Sequence, residues 1–409
     1  MICNWCSLTM VKTELKRSLS LPLITFYGLG NILGAGIYVL VGKVAGTAGV
    51  YAPVAFIVAS LIATLTAFCY AELTSRYPLS AGESVYIHEG FNRQWLSLTV
   101  GLLISLAAIV SAATIINGFV GYLQVFIPIP DIPATIGIVL IIGGIALLGI
   151  KHAVGTAAVL TLIEIAGLLI VIFVGADHIF VNGAVTQILP PTDLAIWPGI
   201  FAGAFLAFYA FLGFEDMVNV AEEVKNPQRN MPIAIFTALA IASLFYFTVT
   251  YVSISVLSPE QLSQSKAPLS SVYETATGRT PVLITVISMF AIINGALIQV
   301  IMVSRILYGM SRQGWLPDKF SSLSQHNGTP SFNTVVVTLI VLFFALWLPL
   351  IALAKLTSFI ILIVFALVNL SLYFIKRKHP VYEGKINYPI WLPIAGTAAS
   401  LLLITAEFL

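Results

Sequence analysis

Glu164 is the residue of this chain best placed to do chemistry. No other charged residue lies between Ala153 and Ala176, inside an apolar run long enough to cross a bilayer. An ionisable side chain at that depth is costly, which makes it a functional candidate by default. A carboxyl group there is a natural proton site. The competing reading is a buried glutamate paired with a hydroxyl or backbone group for packing. Two other segments carry unusual residues at bilayer depth. In Gly28-Leu-Gly-Asn-Ile-Leu-Gly-Ala-Gly-Ile-Tyr38, four glycines surround Asn31. Glycine costs about 1 kcal/mol relative to alanine in a helix interior. Close helix packing accounts for one or two glycines at helical spacing. Gly34-Ala35-Gly36 beside Asn31 fits an unwound helix equally well. In Phe208-Tyr-Ala-Phe-Leu-Gly-Phe-Glu-Asp216, Gly213 is followed by two acids. A charge at the helix centre costs at least about 2.5–3.5 kcal/mol. Glu215 is therefore a second proton-coupling candidate, a pH-responsive gate or an acid that stabilises the inner half of its helix.

Unwinding at these two places would have a direct chemical consequence. A half-helix start presents free N–H groups, which attract a carboxylate. The other side of the break presents carbonyls, which attract an ammonium. A zwitterion fits such a site without any side-chain charge. Interrupted helices at matching places in two halves of a chain are the sequence pointer to an inverted-repeat transporter with a midplane site.

Other chemistries find little support. Cys3 and Cys6 have C-x-x-C spacing, but no second Cys or His pair completes a zinc site and no βαβ context surrounds them. They are expected to be thiols on a short tail, and no metal or cofactor is expected. All five histidines fall in loops or at the edges of apolar runs. No HExxH, buried Ser–His pair or Walker-type GxxxxGK[ST] is present, which argues against an intramembrane enzyme or an ATP-driven pump. A channel would show a ring-forming filter.

The elements that must hold these residues follow from composition. Of 409 residues, 59% are hydrophobic and 9% charged. Soluble domains carry about 25% charged residues, so lipid must solvate most of this surface. A net charge of +2 without a long basic run excludes nucleic-acid binding as a main function. Three cysteines are too few for a disulfide scaffold. A spanning helix needs roughly 20 apolar residues. Eleven such runs are predicted at 21–42, 52–75, 96–125, 132–150, 155–176, 197–220, 232–256, 282–304, 333–352, 356–375 and 387–406. They lack the ten-residue alternation of a β-barrel, and the first is too long and glycine-rich for a signal peptide. Residues 84–96 read as an interfacial lead into the third span.

With the amino terminus in the cytoplasm, only Lys43, Lys266, Arg279 and Lys355 of the nineteen Lys and Arg residues fall outside. That asymmetry sets the orientation and puts the carboxyl terminus outside. The expected product is a multi-pass protein of the cytoplasmic membrane with no soluble domain. One long outer loop, 257–281, could cover the mouth of a pathway.

Four ordered motifs add a resemblance to the amino acid–polyamine–organocation transporter superfamily, with its LeuT-type fold. GLGNILGAGIYVL in the first span resembles the glycine-rich first helix of that family. Tyr70 to Phe91, YAELTSRYPLSAGESVYIHEGF, resembles the end of helix two and its loop. Phe208 to Pro232, FYAFLGFEDMVNVAEEVKNPQRNMP, resembles helix six and its loop. Ser304 to Pro317, SRILYGMSRQGWLP, resembles the end of helix eight. The resemblance implies an all-α membrane protein with a five-plus-five inverted repeat and discontinuous helices one and six. Residues 1–20 would be a cytoplasmic segment, 21–176 the first repeat, 195–375 the second, and 376–409 a cytoplasmic loop and helix eleven. It also implies that Ile32, Gly34, Ala35 and Gly36 hold the carboxylate of an amino acid. Tyr209, Ala210 and Leu212 would offer carbonyls to its amine, with Asn31 and Phe211 lining or gating the pocket. Many members have twelve helices against the eleven counted here. The missing helix lies outside the repeats, so transport is expected to survive its loss.

The implied activity is secondary transport of an amino acid or related amine by alternating access. In several members a lysine occupies the place of Glu164 and mimics a sodium ion, so an acid here is a departure. In sodium-coupled relatives, helix eight supplies hydroxyls to the ion, whereas Met289 to Val303 contains no Ser or Thr. That favours the proton as coupling ion over sodium, with exchange as a further alternative. Glu222 and Glu223 are expected to pair with Lys225 and Arg229 at the inner face, and Glu72 with Arg76 to organise it. Asn294 and Gln299 are expected to hydrogen-bond across helices or touch substrate. No pocket charge selects a charged substrate, which favours neutral amino acids. The oligomeric state is open.

Overall fold

A computed structural model describes residues 17–79, 82–148, 153–181, 192–312, 314–324, 329–379 and 386–407. Cys3, Cys6, Lys151, His152, His326 and Lys385 lie outside the described residues, as does the side chain of Ala35. The described chain is helical, with a single isolated parallel bridge between Leu19 and Val224.

The first span is two helices, α1 (Leu21–Leu33) and α2 (Ala35–Ala48). Gly49, at φ +60° and ψ −139°, ends α2 in a conformation that only glycine adopts cheaply. Pro53, in the first turn of α3 (Ala52–Arg76), sits where its missing N–H costs nothing. A short helix α4 (Gly82–Phe91) and the long α5 (Gln94–Leu123) follow. The expected interfacial lead is thus a helix of its own, separated from α5 by Asn92 at φ +52°. Then come α6 (Asp131–Leu148) and α7 (Ala153–Val181). The sixth span is α8 (Trp197–Phe208), a 3-10 turn Tyr209–Phe211, and a 3-10 segment Glu215–Glu223. The long α9 is Pro227–Val256.

The expected outer loop carries two helices, α10 (Pro259–Gln264) and α11 (Pro268–Thr277). The first is nucleated by a capping box between Ser258 and Gln261. The remaining helices are α12 (Val282–Arg312), α13 (Ser331–Trp347), α14 (Leu350–Lys378) and α15 (Trp391–Ala406). Eight segments are long and apolar enough to cross a membrane, and α13 and α15 are shorter apolar helices. The first of the eight, Leu21–Arg76, contains two crossings because the chain reverses at Gly49–Tyr51. Eleven crossings result among the described residues, matching the number read from the sequence.

Two groups of helices form around a shared centre. In one, α3 packs on α9 and α8, α1 on α9, and α2 on α8. In the other, α12 packs on α5 and α13, and α13 on α5 and α6. Between them α7 touches α1, α9 and α12, while α14 touches α5, α3 and α8. The pairs α3·α9, α5·α12 and α6·α13 are the ones a five-plus-five repeat makes equivalent, and each pair is in contact. Large apolar side chains such as Phe173 (74% exposed) and Trp347 (73% exposed) point outward, as a lipid-solvated surface requires.

Candidate functional site

Both suspect segments are broken. In the first span the helix stops at Gly34, whose ψ of −125° lies outside the helical range. The break is narrower than the Gly34–Gly36 stretch suggested: Gly34 N–H still donates to the Gly30 carbonyl at 3.2 Å, and α2 resumes at Ala35. In the sixth span, Leu212 is extended (ψ 143°) and Gly213 has φ +121°. The chain then continues as nine residues of 3-10 helix, an unusual length that marks a hinge or strain.

The two breaks lie against each other. A Cβ placed on Gly36 would sit 2.5 Å from the Cα of Ala210, and one on Gly213 would sit 2.8 Å from the carbonyl of Asn31. Only glycine lets the backbones approach this closely. The contact brings the end of α1 and the start of α2 onto the loosened turn of the sixth span.

Tyr246 of α9 joins the breaks. Its hydroxyl is 2.7 Å from the Ala210 carbonyl and also contacts the Ile32 carbonyl. The ring is fully buried, edge-on to Phe211 at 5.0 Å and beside Phe56 at 5.6 Å. Nearby, the Tyr209 and Ser111 hydroxyls hydrogen-bond at 2.9 Å, tying the sixth span to α5. Tyr38 donates to the backbone carbonyl of Glu164 at 2.7 Å, and Tyr122 donates to that of Tyr38 at 2.7 Å.

A cavity of about 40 Å³ joins the breaks, lined by Asn31, Gly34, Gly36, Ala210, Leu212 and Asn294 among others. A second cavity, about 30 Å³, shares Ser111, Leu212 and Gln299 with it. Beyond lies a vestibule of about 610 Å³, which shares Asn294 and Ile298 with the first cavity and reaches Ser84, Arg305 and Trp315. The two ends of the helix assembly differ. On the opposite face α10 packs on α2, Lys43 Nζ donates to the Ser263 carbonyl, and Lys266 binds Asp131 at 3.0 Å. The face bearing α4 and the end of α12 is the open one.

Four carboxyl groups are buried near this path. Glu164 is 1% exposed, and neither side-chain oxygen has a hydrogen-bond partner among the described residues. The packing reading of Glu164 calls for a hydroxyl or backbone partner, and the described residues supply none to its carboxyl group. Glu215 (7% exposed) accepts from the Gly213 N–H at 2.8 Å, so it caps the turn after the break. Glu83 (5%) accepts from Tyr70 at 3.3 Å, and Asp216 (6%) lines both the vestibule and the second cavity.

The residues named from sequence separate into groups. Asn31, Ile32, Gly34, Gly36, Tyr209, Ala210 and Leu212 line one cavity. Ala35 begins α2, between the lining residues Gly34 and Gly36. Phe211 is instead buried among Phe56 and Tyr246, away from the lining. The Tyr209 carbonyl accepts from Leu212 N–H at 3.2 Å, while the carbonyls of Ala210 and Ile32 share the single O–H of Tyr246. Asn294 and Gln299 line the cavity, and Gln299 Oε1 is buried without a partner among the described residues.

Glu72 does organise a polar cluster. It binds Arg76 at 2.6 Å and Lys376, and accepts from Tyr388 N–H at 2.9 Å. Glu223 departs from expectation. No ion pair joins it to Lys225 or Arg229 among the described residues; it faces the vestibule instead. The reason is local: Leu19 clasps the chain on either side of Val224, donating to Glu223 and accepting from Lys225, each at 2.9 Å. Asn226 (φ +48°) then turns it sharply into α9.

Sequence reasoning missed Tyr246, Ser111, Glu83 and Asp216 as parts of the site. A tyrosine or serine in an apolar run carries no local sign of what it faces. The pair Glu215-Asp216 was visible, but only the first was singled out. Among the described residues no group of three His, Cys, Asp or Glu side chains is placed to hold a metal ion.

With this geometry in hand, comparison with known proteins is direct. The chain is 29% identical over 394 residues to "Cationic amino acid transporter 3, mitochondrial" of Arabidopsis thaliana, a match covering 90% of this chain and 64% of that one. It therefore spans less than two thirds of that relative's length. It is 28% identical over 401 residues to "Methylthioribose transporter" of Bacillus subtilis (strain 168), covering 92% and 85% of the two chains. Among solved structures it resembles MhsT in complex with L-phenylalanine, with a TM-score of 0.69 at 12% identity, covering 96% of this chain and 100% of that one. The likeness is one of fold, and it makes this a LeuT-type protein with two discontinuous helices. Residues 19–409 match the profile of the family described as amino acid permease, and the chain belongs to that family.

Proposed function

We propose that this protein is a secondary active transporter that moves an amino acid or a related amine across a membrane by alternating access. The observation that carries this reading is the meeting of two broken helices at one buried cavity, connected to a vestibule that reaches Ser84 of α4 and Arg305 and Trp315 at and beyond the end of α12. Peptide N–H groups at the start of α2 and carbonyls of the Tyr209–Leu212 turn are the complementary poles for a zwitterion. The cavity at the breaks, about 40 Å³, runs on into the vestibule past Asn294 and Ile298, and alternating access would move the two groups of helices around it.

The proton is the coupling ion in this reading, and Glu164 carries it. Support comes from the burial of its carboxyl group without a hydrogen-bond partner among the described residues, on a helix that touches both α1 and α12. The amino terminus is cytoplasmic and the protein sits in the cytoplasmic membrane, on the strength of the Lys and Arg asymmetry. The vestibule then opens inward, and α10 and α11 form the outer seal. The names of the relatives point to different substrates, basic amino acids in one and methylthioribose in the other, so they do not choose one for this chain.

Purified protein in liposomes tests the function. Saturable uptake of a labelled amino acid, stimulated by unlabelled amino acid inside, is expected. Flux that neither saturates nor shows such counterflow, across all amino acids and with either a proton or a sodium gradient, would remove this reading.

A further inference from the structure

We propose that Glu83, Glu215 and Asp216 form the recognition site for a positively charged side chain, so that the transported solute is a basic amino acid. This rests on the transport reading above and deepens it. The three residues come from two separate elements: Glu83 from α4, and Glu215 and Asp216 from the 3-10 segment that follows the Gly213 break. Each is more than nine-tenths buried, and all three line the second cavity. They are close enough to interact electrostatically.

No ion pair reaches any of them among the described residues, although buried carboxylates are normally paired. Glu83 has the Tyr70 hydroxyl, and Glu215 has the Gly213 N–H. Among the described residues no hydrogen bond reaches the Asp216 side chain, which lines both this cavity and the vestibule. A second observation points the same way. Gln299, a partly exposed residue, lines the same cavity, and its buried Oε1 has no donor among the described residues. The wall thus offers several acceptors, which suit a ligand rich in donors. Lysine ammonium brings three N–H donors and arginine guanidinium five, both with a positive charge.

Placement makes the assignment specific. The acidic cavity shares Ser111, Leu212 and Gln299 with the cavity at the helix breaks. An amino acid held by its α-carboxylate and α-amine at the breaks would direct a long side chain past these residues to the three acids. The flexible stem of lysine or arginine suits the apolar part of that wall, which includes Ile104, Ala108 and Val364. A metal ion fits less well, because the carboxylates are not gathered into a set able to hold one. Glu223 adds a further acid to the vestibule, against Arg305 as the cation in its lining, so the approach also favours cations.

The test uses neutral near-isosteres on the unaltered protein in liposomes. Arginine is compared with citrulline, and lysine with norleucine, as competitors of labelled arginine or leucine uptake. Each basic member is expected to compete at least tenfold better than its neutral partner. In Asp216→Asn, checked for insertion and thermal stability, the arginine-over-citrulline preference is expected to fall at least tenfold. Equal competition within both pairs, or uptake of leucine unaffected by arginine and lysine, overturns the proposal while leaving amino acid transport intact. An Asp216→Asn variant that keeps its preference but loses its pH dependence also overturns it, in favour of a proton site. Uptake of neither class would defeat the transport reading itself, and this proposal with it.

Discussion

The hydroxyl of Tyr246 lies 2.7 Å from the carbonyl oxygen of Ala210, and the same hydroxyl contacts the carbonyl of Ile32. One side chain of α9 thus spans the two broken helices, using acceptors of the kind a substrate amine would use. A carbonyl accepts two hydrogen bonds, but an O–H donates only one. Substrate entry therefore either adds to this arrangement or displaces it. Tyr246→Phe keeps the ring packed on Phe211 and removes the donor. Leaving a buried carbonyl without its donor costs about 1–3 kcal/mol. The variant is expected to melt at a lower temperature when empty and to recover more of that loss than the parent when substrate is added. Thermal unfolding in detergent, with and without substrate, measures both. An unchanged melting point in the empty protein would mean the bridge contributes nothing.

Glu164 is the group on which proton coupling depends. A glutamine there keeps the shape and removes the titration. With Glu164→Gln, uptake driven by a proton gradient is expected to fall to the level seen without one, and its pH dependence to flatten. Exchange of internal for external substrate is expected to continue, because it needs no net proton movement. Preserved pH dependence in a correctly inserted variant would place the coupling elsewhere, with Glu215 next in line.

The glycines at the crossing of the breaks make a sharper prediction. Gly36→Ala drives a methyl group to within 2.5 Å of the Ala210 Cα, which is backbone and has nowhere to go. Gly213→Ala adds a Cβ penalty at φ +121° to a 2.8 Å clash with Asn31. Strained backbone of this kind costs about 1–3 kcal/mol before the clash is counted. Both variants are expected to lose most transport. In contrast, Gly137→Ala in α6 meets nothing within 4 Å, and alanine is the better helix former by about 1 kcal/mol. That variant is expected to insert and transport normally and to be slightly more stable. Uptake assays on the three variants, matched for expression, decide it.

Much of this fold can be read along the chain because lipid imposes it. Eleven apolar runs give eleven crossings, and Gly213 followed by Glu215 and Asp216 marks the sixth span as broken. Single-residue detail is less legible. Four glycines at Gly28–Gly36 suggest a wide unwinding, whereas only Gly34 leaves the helix; Gly28, Gly30 and Gly36 serve close packing against Met217, Thr161 and Ala210. Outer residues 257–281 read as a loop because α10 and α11 are short, although Ser258-Pro-Glu-Gln261 carries a capping signal. The site is least legible where it depends on distant contacts. Nothing near Glu83 or Tyr246 in the sequence says that folding will carry one to Asp216 and the other to Ala210.

The difference between the two ends gives the last prediction. Asn219 lines the vestibule on the face that bears α4, whereas the native Cys69 is fully buried. In a background with Cys3 and Cys6 replaced by serine, Asn219→Cys supplies one reactive thiol on the open path. A membrane-impermeant thiol reagent is expected to label it rapidly from the amino-terminal side and slowly from the other, where Lys43 and the α10 helix close the route. Bound substrate is expected to change the rate, because the helix groups must move to admit it. If substrate draws the carrier toward an outward-facing state, labelling from the amino-terminal side slows and labelling from the other side rises. Equal rates from both sides in the empty protein would mean that the seal over α2 does not hold in a membrane.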